Sequence, residues 1–545
     1  MTPVPVHGVV RNAATGEPLP RTLVQLGAEN GPGALTDGDG RFEMSVPGTG
    51  QHMFQLTKPG FHDLPLSPSG SGALIETSMS IVHNVLVTED MPALTFTMSP
   101  TNSIHGHIDL STGELAQGIG VQLLRRIVQG GHAAWRMAAN TRTNSDGAYR
   151  FAGLDDGDYA IATEPAKDNE LANSPIAKES EGKVEWNGYA VTYYPDAREF
   201  SAAARLHLRG GESTQANLTL KLEPFHLVSA EILLPQAIKN NATGNALNCD
   251  LLDSEGHNSP YGGVIGATPN AFQATVPDGT YRIHASGYKA SGPPGARQSK
   301  LESPSSGQVD VSVAGHAVTG IRLPLAAESS NPLQVMITHA SAQPRQNTGF
   351  GQAHVFVSVS QAGPGLTDGM SSQYAQGPIP GTLDTTNLLP GSYWVHTAIG
   401  VPGTCESSFT AGGANLGHEP LIIGPGGTSA PLALTFRDDC ATLKLSLSPS
   451  FTPTTGGEEQ AYSIYLVPDF DSTVDVQMLS LRPTDGGSIT LDNLTPGSYH
   501  VYTFPAPVEL EYHNPDALAA LGNRGKAITL EPSSSNTITV EAPAP

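Results

Sequence analysis

Apolar residues in this chain recur at every second position, in short runs, and almost never at helical spacing. "VDVSV", "LALTF" and "AITLEP" are typical, and Gly, Pro, Asn, Asp or Ser clusters bound each run. That pattern reads as half-buried strands joined by turns. The best helical stretch, "NPDALAALGNRGKA" (Asn514 to Ala527), is short and breaks at Gly522. The expected fold class is all-β.

One stretch is written nearly twice, "NLLPGSYWVH" (Asn387 to His396) and "NLTPGSYHVY" (Asn493 to Tyr502). Weaker relatives are "DDGDYAI" (Asp155 to Ile161) and "PDGTYRI" (Pro277 to Ile283), and the most degenerate is "VPGTGQHMF" (Val46 to Phe54). The anchoring residues Tyr159, Tyr281, Tyr393 and Tyr499 are 122, 112 and 106 residues apart. A period of about a hundred residues suits a small sandwich and is too long for a solenoid. Glycine lets the chain turn, and the tyrosine then opens a strand. In Greek-key sandwiches such a tyrosine is a corner latch, its hydroxyl bonded to backbone a few residues upstream. All four tyrosines are expected in that role.

Each unit closes with two alternating strands around a turn, as in "RLHLRGGESTQANLTLKL" and "LIIGPGGTSAPLALTF", and the next opens on a fresh strand such as "SIHGHIDL" or "TLKLSLS". The expected architecture is a tandem array of about five Ig-like or prealbumin-like Greek-key β-sandwiches. The units are 1–100, 101–224 with a long insertion at 166–197, 225–327, 328–438 and 439–545. Linkers of a few residues predict semi-rigid neighbours.

The 545 residues exceed what one core organises. Sixty Gly and 44 Pro fit a turn-rich chain. A formal charge of −23 excludes nucleic acid as a natural partner and disfavours anionic lipid. No run of 18 apolar residues suggests a membrane span. The opening "MTPVPVHGVV" lacks the basic and apolar regions of a signal peptide.

The first unit carries "TGEPLP", then an alternating strand, then "TDGDGRFEMSVP"; the second carries "STGELAQGIGVQLL", then "TNSDGAYRFAGLDDGDYAI". These stretches resemble the carboxypeptidase regulatory-like domain, a transthyretin-like or prealbumin-like sandwich. The resemblance is strong over residues 4–163 and drifts afterwards. The serial arrangement looks like large bacterial surface or periplasmic proteins. It implies a non-catalytic accessory module, in a fold group that includes carbohydrate-binding members.

Candidate chemistry is sparse. The chain has no H-E-x-x-H, G-x-S-x-G or P-loop sequence, and the one His-Glu neighbour pair, His418–Glu419, precedes a strand. Asp37 and Asp39 in "TDGDGRFE" are spaced like early calcium ligands, but Arg41 takes the third ligand's place, so a hairpin turn is expected. His105 and His107 alternate on one strand without a third ligand. No catalytic, metal or cofactor residue is expected. Cys405 and Cys440 suit a bridge tying the fourth unit to the fifth, which would place the protein in an oxidising compartment, and Cys249 would stay free. Sugar binding calls for exposed aromatic rings. Trp186, Tyr189, Tyr193 and Tyr194 form the densest aromatic cluster and are the candidate ligand contacts, with Trp135 and Trp394 as further rings. Strand alternation sends Trp394 away from Tyr393, toward solvent or a domain interface.

The resulting expectation is an exported, periplasmic or cell-surface binding and scaffold protein, with a polysaccharide or glycan as first-choice partner. The alternative is a structural stalk or protein-interaction array with cell-surface protein partners. An accessory subunit of a separate peptidase is the third reading.

Overall fold

The structure, a computed structural model, describes residues 3–27, 31–63, 83–168, 186–235, 245–254, 256–265, 270–291, 300–327, 332–338, 354–362, 372–386, 388–399, 403–424, 426–427, 430–448, 462–481, 488–505 and 507–541. Among them are ten sheets that face one another in pairs as five β-sandwiches. The helical elements that lie wholly within the described residues are Pro515–Ala520 and two single 3₁₀ turns. The short helix starts where Asn514 caps it, accepting from the amides of Asp516 and Ala517.

All five sandwiches share one topology. The opening strand lies antiparallel to a strand from mid-unit and parallel to the closing strand. In the first unit Val6 sits opposite Met44 and Val10 beside Phe96. The same two pairings recur as Ile104–Phe151 and Ile108–Leu218, then Val228–Ala274 and Ile232–Leu323. They recur again as Leu333–Leu383 and Val335–Leu434, and finally as Leu443–Leu491 and Leu445–Ile538. A parallel pair of first and last strands needs the chain to cross between sheets, as in a Greek key.

The period-2 pattern decides which residues meet inside. Along Val4–Asn12 buried and exposed positions alternate from Val4 to Val10. Each sandwich therefore has its own apolar cluster, around Phe54 and Phe96 in the first unit and Ile104, Ile108 and Tyr189 in the second. Phe272 and Ile283 anchor the third, Phe409 and Phe436 the fourth, and Leu443 and Val501 the fifth. Each such buried side chain contributes about 1.5–3 kcal/mol relative to exposure.

Local turn chemistry repeats as well. Asp37 Oδ1 accepts from the amides of Asp39 and Arg41, at 3.0 and 2.8 Å. In the second unit Asn144 Oδ1 accepts from Asp146 and Ala148, at 3.0 and 2.9 Å. Both are Asx turns closing a hairpin. The preceding threonines match too, Thr36 donating to Leu19 O and Thr143 to Ala116 O.

The insertion at 166–197 is more than a loop. Its Trp186–Tyr189 strand joins the third unit's sheet, with Trp186 opposite Phe225 and Tyr189 opposite Leu222. The second and third units thus share a continuous sheet, and the linker between them cannot act as a hinge without breaking backbone hydrogen bonds.

Candidate functional site

The four repeat tyrosines each bond the carbonyl four residues upstream. Tyr159 donates to Asp155 O at 3.0 Å, Tyr281 to Pro277 O at 3.1 Å, Tyr393 to Leu389 O at 2.8 Å and Tyr499 to Thr495 O at 2.6 Å. Burial raises all four hydroxyl pKa values, that of Tyr393 to about 12. The glycine two residues earlier leaves room for the ring, since a Cβ on Gly279 would sit 3.1 Å from Tyr281 Oη. The first unit makes the same corner with histidine, His52 Nε2 lying 2.8 Å from Gly48 O. The Gly50-x-His52 offset equals that of Gly-x-Tyr in the other units, a signal the sequence carried.

The candidate aromatic cluster does not form one platform. Tyr189 is fully buried in the second unit's core, and Tyr194 packs against that core. Tyr193 belongs to a separate buried group with Trp135 and Phe200. Trp186 is half-buried, with Lys167 Nζ 5.0 Å from its ring centre. Among the described residues no group of three or more His, Cys, Asp or Glu is placed to hold a metal. His107 instead pairs with Asp109 at 3.2 Å, and His105 faces Ser213 at 3.4 Å.

The densest chemistry sits where the second, fourth and fifth units meet. The second unit's hairpin, Gly120–Gln129 and His132–Arg142, turns through Gly130 and Gly131 at φ of 53° and 77°. Two positive φ values make the type I′ turn that glycine favours. The same glycines let the tip dock, because a Cβ would meet the His396 ring at 2.1 Å from Gly130 and the Tyr512 ring at 2.4 Å from Gly131. His132 stacks on Trp394 at 3.7 Å and 6°, and on His513 at 4.5 Å and 8°. The His513 amide donates to Gly131 O at 3.2 Å, and Arg126 pairs with Glu511 at 2.5 Å. Trp394 therefore faces an inter-unit contact.

Burial lowers the His132 pKa to about 3, helped by His513 and His396 and opposed by Asp475. His513 is lowered for the same first reason. The stacked rings are thus neutral, as a dry apolar contact requires.

The fourth and fifth units are further bound by buried polar bonds. Glu406 is fully buried and accepts from the Thr473 amide at 2.8 Å and from the Thr473 hydroxyl. Burial pushes its carboxyl pKa up, against the pull of those bonds. The Thr397 amide donates to Thr473 O at 2.8 Å. Cys405 and Cys440 form a disulfide with Cα atoms 5.8 Å apart. Cys249 is the free thiol, raised to about 12 by burial and by Asp250.

A serine–histidine–aspartate chain is present here. Ser360 Oγ lies 2.8 Å from His396 Nε2, and His396 Nδ1 lies 2.8 Å from Asp475 Oδ1. The spacing matches a nucleophile and base, but a substrate must also reach the serine. Ser360 is 7% exposed, and the void beside His396 holds about 10 Å³ and is not lined by Ser360. Nothing larger than one water fits that volume. The chain of bonds ties the strands of Ser360 and His396 to the loop that carries Asp475, and leaves the serine no room for a substrate.

No family model matches the chain, and no curated protein matches it. Among solved structures it is similar to the Bacillus anthracis TIE protein, at 9% identity, covering 78% of this chain and 69% of that one, with a TM-score of 0.15. It is similar to a streptococcal ancillary pilin at 12% identity, covering 59% and 99%, with a TM-score of 0.19. A minor pilin of Streptococcus agalactiae matches at 13% identity, covering 40% and 95%, with a TM-score of 0.18. These superpositions are loose at the scale of the whole chain. Among the described residues no helix is long and apolar enough to cross a membrane.

Proposed function

We propose that this chain is a bacterial, exported, non-catalytic array of five sandwiches, divided near residues 100, 224, 327 and 438. It acts at the cell surface as a shaped scaffold for protein interaction. The observation that carries this reading is the burial of polar bonds between units, above all Glu406 on Thr473 and the docked Gly130–Gly131 tip. A chain of independent beads has no use for contacts this specific, whereas a scaffold of fixed outline depends on them. The Cys405–Cys440 bridge supports an oxidising compartment. The carboxypeptidase regulatory-like resemblance of the first two units supports an accessory role. A glycan remains the competing ligand class, but the rings proposed for it, Trp186, Tyr189, Tyr193 and Tyr194, are split among separate packing environments.

Small-angle scattering and cross-linking test the fixed outline. The expected result is one compact profile with second-unit lysines or carboxylates linked to the fifth unit. A profile of flexibly joined beads would overturn the reading. Capture from cell-envelope material, with protease and glycosidase treatment in parallel, tests the partner class. Protease-sensitive capture is expected, and capture that survives protease but not glycosidase would transfer the function to glycan binding.

A further inference from the structure

Between the third and fourth units lies a groove of about 510 Å³. Leu247, Asn248, Cys249 and Asp250 line it in succession. Side chains on a strand alternate in direction, so four consecutive residues share one groove only where it follows the strand's backbone edge. Asn245–Leu252 is an end strand of its sheet, paired on one side with Gly279–Ser291. Ser259 N covers Leu251 O, and the stretch from Leu247 to Asp250 has no second strand partner among the described residues. Leu388, Leu389 and Ile265 form apolar walls, and Ile265 is 43% exposed.

The floor is polar. His284 is 2% exposed, yet its Nδ1 has no hydrogen-bond partner and lies 3.7 Å from Asp250 Oδ2. A buried polar atom left unpaired is costly, and a bound partner would recover that cost. Asp250 is the one acidic residue among the groove's lining residues, and no Lys or Arg is among them.

We propose that the groove receives an extended basic segment of another protein, which adds along Leu247–Asp250 and sets a Lys or Arg side chain against Asp250 and His284. This deepens the protein-interaction reading and rests on it. An open strand edge supplies main-chain bonds to an extended chain. Leucine and isoleucine walls suit the methylene stem of a basic side chain, whose charged head seeks polar partners. The Asp250 carboxylate accepts, and an ammonium or guanidinium only donates. The net charge of −23 draws such a segment in.

The test titrates the full chain with a labelled, blocked pentapeptide, acetyl-Thr-Val-Lys-Val-Thr-amide, and with its norleucine counterpart, by fluorescence anisotropy. The lysine peptide is expected to bind about tenfold tighter than the norleucine one, with the preference shrinking as salt rises. Asp250→Asn should abolish that preference with no change in melting temperature. Equal affinities, a preference that survives Asp250→Asn, no binding at millimolar peptide, or displacement by a neutral maltooligosaccharide would each overturn the proposal. Scattering on the same samples separates the two readings. A compact profile without lysine-selective binding sinks the groove alone, while a flexible-bead profile sinks the array.

Discussion

Two inter-unit junctions each hold a histidine, and they treat it oppositely. At the junction of the second, fourth and fifth units, His132 is pressed between aromatic neighbours beside a void of about 10 Å³. At the junction of the third and fourth, His284 faces a groove of about 510 Å³ with an unpaired nitrogen. The first junction bonds His396, Asp475 and Ser360 to one another and Thr473 to Glu406, and leaves Arg125 Nε without a hydrogen-bond partner. The second leaves His284 Nδ1 without a hydrogen-bond partner. Side chains bonded to one another across the first junction act as a structural clasp, and the open groove at the second is where the proposed segment would dock.

That contrast breaks most visibly at Glu406. Replacing it with alanine strands the Thr473 amide in a dry contact and should cost about 3 kcal/mol, read as a lowered midpoint in urea unfolding. Gly131→Ala should cost about 2 kcal/mol, because the left-handed turn and the Tyr512 ring both resist a Cβ. Its cross-links between the second and fifth units should also disappear.

Acid should loosen the closed junction selectively. His132 has a pKa near 3 when docked, against 6.5 for the free side chain, so the undocked form binds more protons between those values. Docking is therefore at full strength above pH 6.5 and weakens progressively as pH falls below it. Trp394, stacked on His132, reports this as an emission change below pH 6.5 that Trp394→Phe removes. An emission constant down to pH 4 would refute a neutral, docked His132. Tyr499→Phe, which deletes one corner bond inside a single unit, should cost about 1 kcal/mol and leave the junctions intact. At the open junction Asp250→Asn should change stability by less than about 0.5 kcal/mol by thermal melting, since Asp250 is partly exposed and lies 3.7 Å from His284, beyond hydrogen-bond reach.

Much of the fold was legible in the residues. Tyr159, Tyr281, Tyr393 and Tyr499 announce their corners through the glycine two positions earlier. Asp37 and Asn144 announce their hairpins through Asx-turn chemistry. The aromatic cluster was less readable. Trp186, Tyr189, Tyr193 and Tyr194 are close in sequence, but strand alternation and the cross-unit pairing of Trp186–Tyr189 send their rings to different surroundings. The histidine corner at His52 lay in plain view and was obscured only by the change of residue type.

By itself the sequence determined the strands, their turns, the five-fold repetition and the separate cores, because each depends on residues a few positions apart. Only the tertiary structure decided that His132, Trp394 and His513 share one stack, and that a strand from one sandwich completes the sheet of the next. The stack joins residues hundreds of positions apart and the sheet pairing crosses a unit boundary, and the relative setting of whole rigid sandwiches selects both. No local alternation of apolar and polar positions encodes such a setting.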